Sequence, residues 1–259
     1  MTEPLEFGTM LAWLLDHRAL DARELAERAE STADDIRAVC AGSIPGPELL
    51  RQLAPALGFH AADLFILAGL QVPDDLAPLD AAAGRWGARI VMDAVHLPSA
   101  GRQEVLRLIR SLPREKRSSP FSPHQYGNLS DRPGGRLIRM ASYRNLGRSD
   151  LAHVLAVLTP SYLSASTYTV IGADRKELTP RLVADFASLL GVDARELAGL
   201  TGVALSESPA PAAQEAVDAA ALLWAARGLS TTQAESVAEL AHSLRDEPRN
   251  EYRLNVTAW

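Results

Sequence analysis

The chain is poor in the residues that announce chemistry. Cys40 is its only cysteine, which excludes an intrachain disulfide and a cysteine-rich metal site. The histidines, His17, His60, His96, His124, His153 and His242, are scattered, and none stands at metal-ligand spacing from a partner. No glycine-rich phosphate loop follows a strand-like run, and no nucleophile motif is present. No metal, cofactor or catalytic residue is therefore expected, and the chain does not read as an enzyme. No run reaches the roughly 18 to 20 apolar residues of a membrane span, so no membrane partner is expected. The N-terminus lacks the basic-then-apolar order of a signal peptide, which points to a cytoplasmic protein, and the sequon at Asn255 then reads as chance. Lysine is nearly missing too, with Lys116 and Lys176 against 24 arginines, a bias that GC-rich bacterial coding produces. Aromatic residues make up only 5%, so the apolar 47% is mostly Leu, Ala and Val, enough for packed cores.

What is present is written twice. The stretch Leu50–Leu70 returns as Val183–Val203. Leu11, Leu14, Leu20 and Leu25 match Leu137, Met140, Leu146 and Leu151, 126 residues on. Pro47, Leu57, Gly58 and Gly69 match Pro180, Leu190, Gly191 and Gly202, 133 residues on. The difference of seven residues is assigned as one in the turn after the second helix and six after the third. Val105, Leu108 and Leu112 likewise match Val237, Leu240 and Leu244.

Apolar spacing predicts helices throughout and no strand in the repeats. In the first copy the second helix is expected over 22–29 and the third over 33–41, ended by Gly42. The fourth runs from Pro47 to Gly58 and the fifth over 61–70. The expected organisation is all-α, with a first five-helix unit at 5–72 and a helical hairpin at 74–112. A flexible linker rich in proline, glycine and serine follows at 113–135. A second unit at 136–204, its hairpin at 212–246 and a tail or short strand at 247–259 complete the chain.

The net charge of −6 hides an uneven distribution: residues 1–116 sum to −5, 117–204 to +3 and 205–259 to −4. The only basic island is the front of the second copy. A short helix, short turn and short helix inside a five-helix unit is the layout of a helix-turn-helix domain. Leu25-Ala26 stands on the second helix, Ile36 and Val39 on the third, Gly42 at its end and "LAPALGF" at the close of the fourth. Over Gly8–Leu64 this pattern resembles the XRE family, the lambda-repressor/Cro-like DNA-binding domains of bacterial and phage transcriptional regulators. The second copy repeats Leu151-Ala152, and its "LTPSYLS" at Leu158–Ser164 resembles a common start of the family's recognition helix. The resemblance implies that the third helix enters the major groove of duplex DNA and that its first turn meets base edges.

On that resemblance Thr159 is the N-cap and Pro160 the first residue of the second copy's recognition helix. Leu163 then points into the core, and Ser161, Tyr162 and Ser164 face outward. Arg148 takes the place of a DNA-touching glutamine and is expected to grip a phosphate. Arg175 and Lys176 in the later loop, with Arg136, Arg139 and Arg144 on the preceding helix, widen the basic field. The expected DNA-contacting set is Arg148, Thr159, Ser161, Tyr162, Ser164, Arg175 and Lys176. The second copy departs from the family at Ser166, where an apolar residue belongs, and "YTVIGADRKE" extends the helix or forms a wing.

The first copy puts Asp34 and Asp35 on the turn that would face bases, and Ala22 in place of the arginine. Carboxylates stabilise a helix N-terminus but oppose phosphates. This copy is expected to serve as a structural or protein-contact module, with Cys40 as a small, buried or half-buried side chain rather than a redox sensor. A homodimer setting two second-copy helices about 34 Å apart on a near-palindromic operator is expected. The alternative is a non-DNA interaction or oligomerisation protein, favoured by the acidic first copy and the overall charge. A positive stripe across Arg148, Ser161 and Arg175 favours DNA, and its interruption by Asp150, Asp174 and Glu177 favours the alternative. For Trp86 and Trp224 on the hairpins, core packing, a dimer seam and a ligand pocket all remain open.

Overall fold

The structure, a computed structural model, describes residues 5–117, 120–121, 128–205 and 211–246, and every regular element among them is helical. No helix among the described residues is long and apolar enough to cross a membrane. The tail at 247–259, and with it the sequon, lies outside the described residues, as does His124.

The first unit comprises α1 (Phe7–His17), α2 (Ala22–Ala29), α3 (Ala33–Cys40), α4 (Pro47–Ala56) and α5 (Ala61–Leu67). They close over Leu11, Leu14, Leu25, Ile36, Leu50 and Leu53, all buried. Burial of each such side chain contributes about 1.5–3 kcal/mol. A capping box starts α2: Asp21 accepts from the backbone N–H groups of Arg23 and Glu24, and Glu24 accepts from the N–H of Asp21. The hydroxyl of Thr32 accepts the N–H of Asp35 at 3.1 Å and starts α3. At Gly8, α1 crosses α3 so closely that a Cβ would lie 2.2 Å from the carbonyl oxygen of Val39. Two helices follow, α6 (Gly84–Ala94) and α7 (Ser99–Ser111).

The second unit comprises α8 (Pro133–Ser142), α9 (Arg148–Leu158), α10 (Ala165–Gly172), α11 (Pro180–Leu190) and α12 (Ala194–Thr201). Its packing repeats the first: α10 lies on α8 and α9 as α3 lies on α1 and α2, and α11 lies on α9 as α4 lies on α2. Gly134 crosses the carbonyl of Ile171 as Gly8 crosses that of Val39. Pro47 and Pro180 each open a helix, and Gly58 and Gly191, with φ of +68° and +71°, follow the ends of those same helices.

The two units share a seam with a pseudo-two-fold relation. Helix α1 packs on α12, and α8 packs on α5. Arg18 grips Glu196 across the seam through two 2.6 Å contacts and also donates to the carbonyl of Leu57 in its own unit. Arg144 grips Asp63 at 2.8 and 2.9 Å and donates to the carbonyl of Leu190. Arg18, Leu57 and Asp63 are the repeat equivalents of Arg144, Leu190 and Glu196, so each triad is the other with the units exchanged. Arg136 lies 3.9 Å from the sulfur of its own equivalent, Met10. A position that touches its equivalent lies on the axis, as in an isologous interface.

The hairpins continue the exchange. The second consists of α13 (Gln214–Ala226) and α14 (Thr231–Asp246); α14 packs on α6, and α13 on α7. The resulting four-helix bundle encloses an ion pair between Arg102 and Asp218, 2.7 Å apart at 4% and 5% side-chain exposure. The bundle leans mainly on the second unit, with α6 against α9 and α13 against α11, and touches the first where Trp224 of α13 stacks on His60.

The segment expected as a flexible linker is anchored where it is described. Arg117 donates to the carbonyls of Asp74, Ala77 and Pro78, Phe121 meets Tyr143 with ring centroids 5.5 Å apart, and the N–H of Ser130 donates to Gly172. Pro133 to Gly135, also assigned to the linker, form the first turn of α8. Residues 118–119 and 122–127 of that segment lie outside the described residues.

Candidate nucleic-acid interface

Gly147 is the N-cap of α9, and its N–H donates to Asp150. That leaves Arg148 exposed at the first helical position, the equivalent of Ala22 on α2. The sequence places the recognition helix at Thr159; the structure corrects this. Helix α9 continues to Leu158, Thr159 closes it in extended conformation, and α10 starts only at Ala165 after Ser164. The apolar pattern explains the shift. Tyr168 and Ile171, both buried, stand 132 residues beyond Ile36 and Val39, so α10 matches α3 residue for residue at that spacing. Six of the seven extra residues therefore precede α10 and one follows it, the reverse of the sequence assignment.

Two members of the predicted contact set turn inward as a result. Thr159 is buried, and its hydroxyl donates to the carbonyl of Leu155 at 2.7 Å, a bond that closes the last turn of α9. Ser161 is buried and donates to Asp185 on α11. Burial pushes the Asp185 carboxyl above the usual range, against the hydrogen bonds of Ser161 and Thr159, which favour the charged form. Arg181 holds the same loop through the carbonyl of Pro160. Tyr162 is 83% exposed. Leu163 is half-buried in the loop.

Ser164 is exposed and is the N-cap residue, the position of Thr32 in the first copy. Its hydroxyl lies 2.9 Å from that of Ser166 and 3.0 Å from that of Thr167. Ser166 and Thr167 occupy the places of Asp34 and Asp35, so the apolar residue expected at Ser166 is supplied by Tyr168 instead. The tyrosine hydroxyl is buried without a partner among the described residues, and burial pushes its pKa to about 12. Sequence reasoning missed Ser166 and Thr167 as outward residues. The signal that finds them is the i, i+3 pair Tyr168 and Ile171.

The basic field is smaller than its sequence count. Arg144 is consumed by Asp63, Arg136 is buried on the seam and donates to the carbonyl of Leu5, and Arg139 pairs with Asp131 at 3.2 Å. Arg175 and Lys176 are exposed in the loop after α10, beside exposed Glu177, and Asp174 pairs with Arg132 at 3.1 Å. Residues 173–179 are non-helical, and no wing strand forms there. Arg148, Ser164, Ser166 and Arg175 are thus exposed, with Asp174 and Glu177 exposed beside Arg175, whereas Ser161 is buried.

The first copy presents the opposite chemistry on the equivalent face. Asp34, 92% exposed, pairs with Arg37 at 2.6 Å, and Asp35 accepts from the Thr32 hydroxyl. Cys40 is half-buried, and burial pushes its thiol pKa up, which keeps it protonated. No group of three or more His, Cys, Asp or Glu side chains among the described residues is placed to hold a metal ion. No family model, curated protein or solved structure matches the chain.

Proposed function

We propose that the protein is a transcriptional regulator of the XRE type that binds duplex DNA through α9 and α10 of its second helix-turn-helix unit. The observation that carries this reading is the exchange of residues on equivalent positions. Where the first copy has Ala22, Asp34 and Asp35, the second has exposed Arg148 and a hydroxyl row made by Ser166 and Thr167 beside Ser164. Hydroxyls donate to and accept from bases or phosphates, whereas carboxylates meet phosphates unfavourably. Arg148, Tyr162, Ser164, Arg175 and Lys176 stay in the proposed contact set; Thr159 and Ser161 leave it, and Ser166 and Thr167 join it.

The first copy, with its acids and with Ile44 80% exposed beside α3, is proposed as a protein-contact face. A homodimer that offers two α10 helices to a near-palindromic site is part of the same proposal. Its interface lies away from the α1/α12 and α5/α8 seam, which the chain fills itself.

The test is binding to the DNA flanking the protein's own gene over a salt series. Arg148→Glu, and separately Ser166→Asp with Thr167→Asp, are expected to weaken binding at least about tenfold, while Arg37→Glu leaves it unchanged. Equal binding by all of these and wild type removes the assignment to the second copy. Absence of any complex at low salt with every genomic fragment removes DNA binding and leaves the protein-interaction alternative.

A further inference from the structure

Away from the α9/α10 face, a cleft of about 880 Å³ opens where α5 and α11 of the two units meet the ends of α7 and α13. Its floor is built from Trp224. His60 stacks parallel on this ring with centroids 3.5 Å apart, and the Arg227 guanidinium carbon also lies 3.5 Å from the ring centroid. Two groups that close to one centroid occupy opposite faces, so the indole is clamped and the floor is fixed.

The charge around this floor is unbalanced. Four guanidiniums line the cleft, from Arg110, Arg114, Arg117 and Arg227, against the carboxylates of Asp75 and Glu115. Asp75 is paired with Arg51 at 2.9 Å, and Glu115, which accepts from the hydroxyl of Ser230 at 3.0 Å, leaves one carboxylate charge against the four cations. Arg227 donates to the carbonyl of Leu76 and forms no ion pair among the described residues. The Nε of Arg117 is buried without a partner among the described residues, although both its terminal nitrogens are satisfied. Burial and the neighbouring Arg144, Arg117 and Arg114 lower the pKa of Arg227 to about 10. Buried cations are ordinarily paired, so a half-buried one crowded by others marks a place where an anion is missing. Leu112, Val217 and Ala221 add apolar lining, and the volume suits a small molecule.

We propose that this cleft binds a small amphipathic organic anion, its charged group among Arg110, Arg114 and Arg227 and its apolar body along Leu112 and Val217. The proposal stands whether or not the second unit reads DNA. Because both units and both hairpins line the cleft, a ligand there ties them together and raises the melting temperature.

The full chain is titrated with 1-anilinonaphthalene-8-sulfonate, followed by its fluorescence, with decanoate and decanol as competitors. One saturable site is expected, displaced by decanoate at least about tenfold more effectively than by decanol, and decanoate raises the melting temperature. Arg110→Gln with Arg114→Gln, both exposed and so harmless to folding, weakens the dye and decanoate about tenfold, and Arg227→Gln weakens them further. Unchanged affinity in the Arg110→Gln, Arg114→Gln variant, equal displacement by decanol, or dye binding that never saturates overturns the proposal.

Discussion

At the scale of single residues, Arg144 and Asp63 show how a surface-looking charge becomes internal. They are 1% and 2% exposed and bound by two parallel hydrogen bonds. Removing one partner strands the other in a dry seam. Arg144→Ala or Asp63→Ala is therefore expected to cost about 3–5 kcal/mol in urea unfolding, whereas Arg144→Met with Asp63→Leu is expected to be near neutral. Breaking the equivalent pair at Arg18, 24% exposed, costs less because water screens it. His60 carries a second prediction. Burial, and after it the nearby Arg144, lower its pKa from 6.5 to about 4, so the folded protein holds this imidazole neutral. Between about pH 6.5 and 4 the unfolded chain binds a proton that the folded one refuses, and stability falls as pH falls through that window. The loss is up to ~3 kcal/mol at full shift. Urea midpoints measured across the window are expected to fall less steeply for His60→Phe, which can still stack on Trp224. Residue identity alone did not reveal any of this, since the arginine of a basic island reads as a DNA contact until a distant aspartate is seen facing it.

At the scale of elements, most helix boundaries were legible because capping chemistry and apolar spacing agree. The starts expected at Ala22, Ala33 and Pro47, and at Pro180 as its repeat, are kept by the structure, where Asp21 and Thr32 cap the first two. The third helix of the second copy was misplaced for a specific reason. Thr159-Pro160 is a good local start signal, and the first copy's short turn favours it. The later start wins because only it turns Tyr168 and Ile171 into the core. A packing preference that spans the unit overrode a local cap. The α1/α3 crossing gives a test at this scale. Gly8→Ala forces a Cβ against the Val39 carbonyl, and Gly134→Ala meets that of Ile171 at 2.6 Å. Each is expected to cost about 1–3 kcal/mol in thermal or urea melts, with Gly8→Ala the worse.

At the scale of the whole molecule, duplication was plain in the sequence and the way the copies join was not. The repeat gives equivalences, but a seam is a relation between distant positions, and no spacing rule links Arg18 to Glu196. The seam, the shared bundle and the anchored segment around Arg117 predict a single cooperative unfolding transition. Far-ultraviolet dichroism and tryptophan fluorescence are expected to report the same urea midpoint, and two separated midpoints would show that the units melt independently.

The pairing of equivalent triads across one chain has a further consequence. In an assembly of two identical chains, each substitution lands on both sides of the axis at once, and dilution separates the halves. A chain that contains its own partner escapes both conditions. Its halves stay together at any expression level, and each is free to change without the change being mirrored. Asp34 and Asp35 on one side, with Ser166 and Thr167 on the other, are a divergence of the kind that a strictly symmetric reader of two half-sites has no means to acquire.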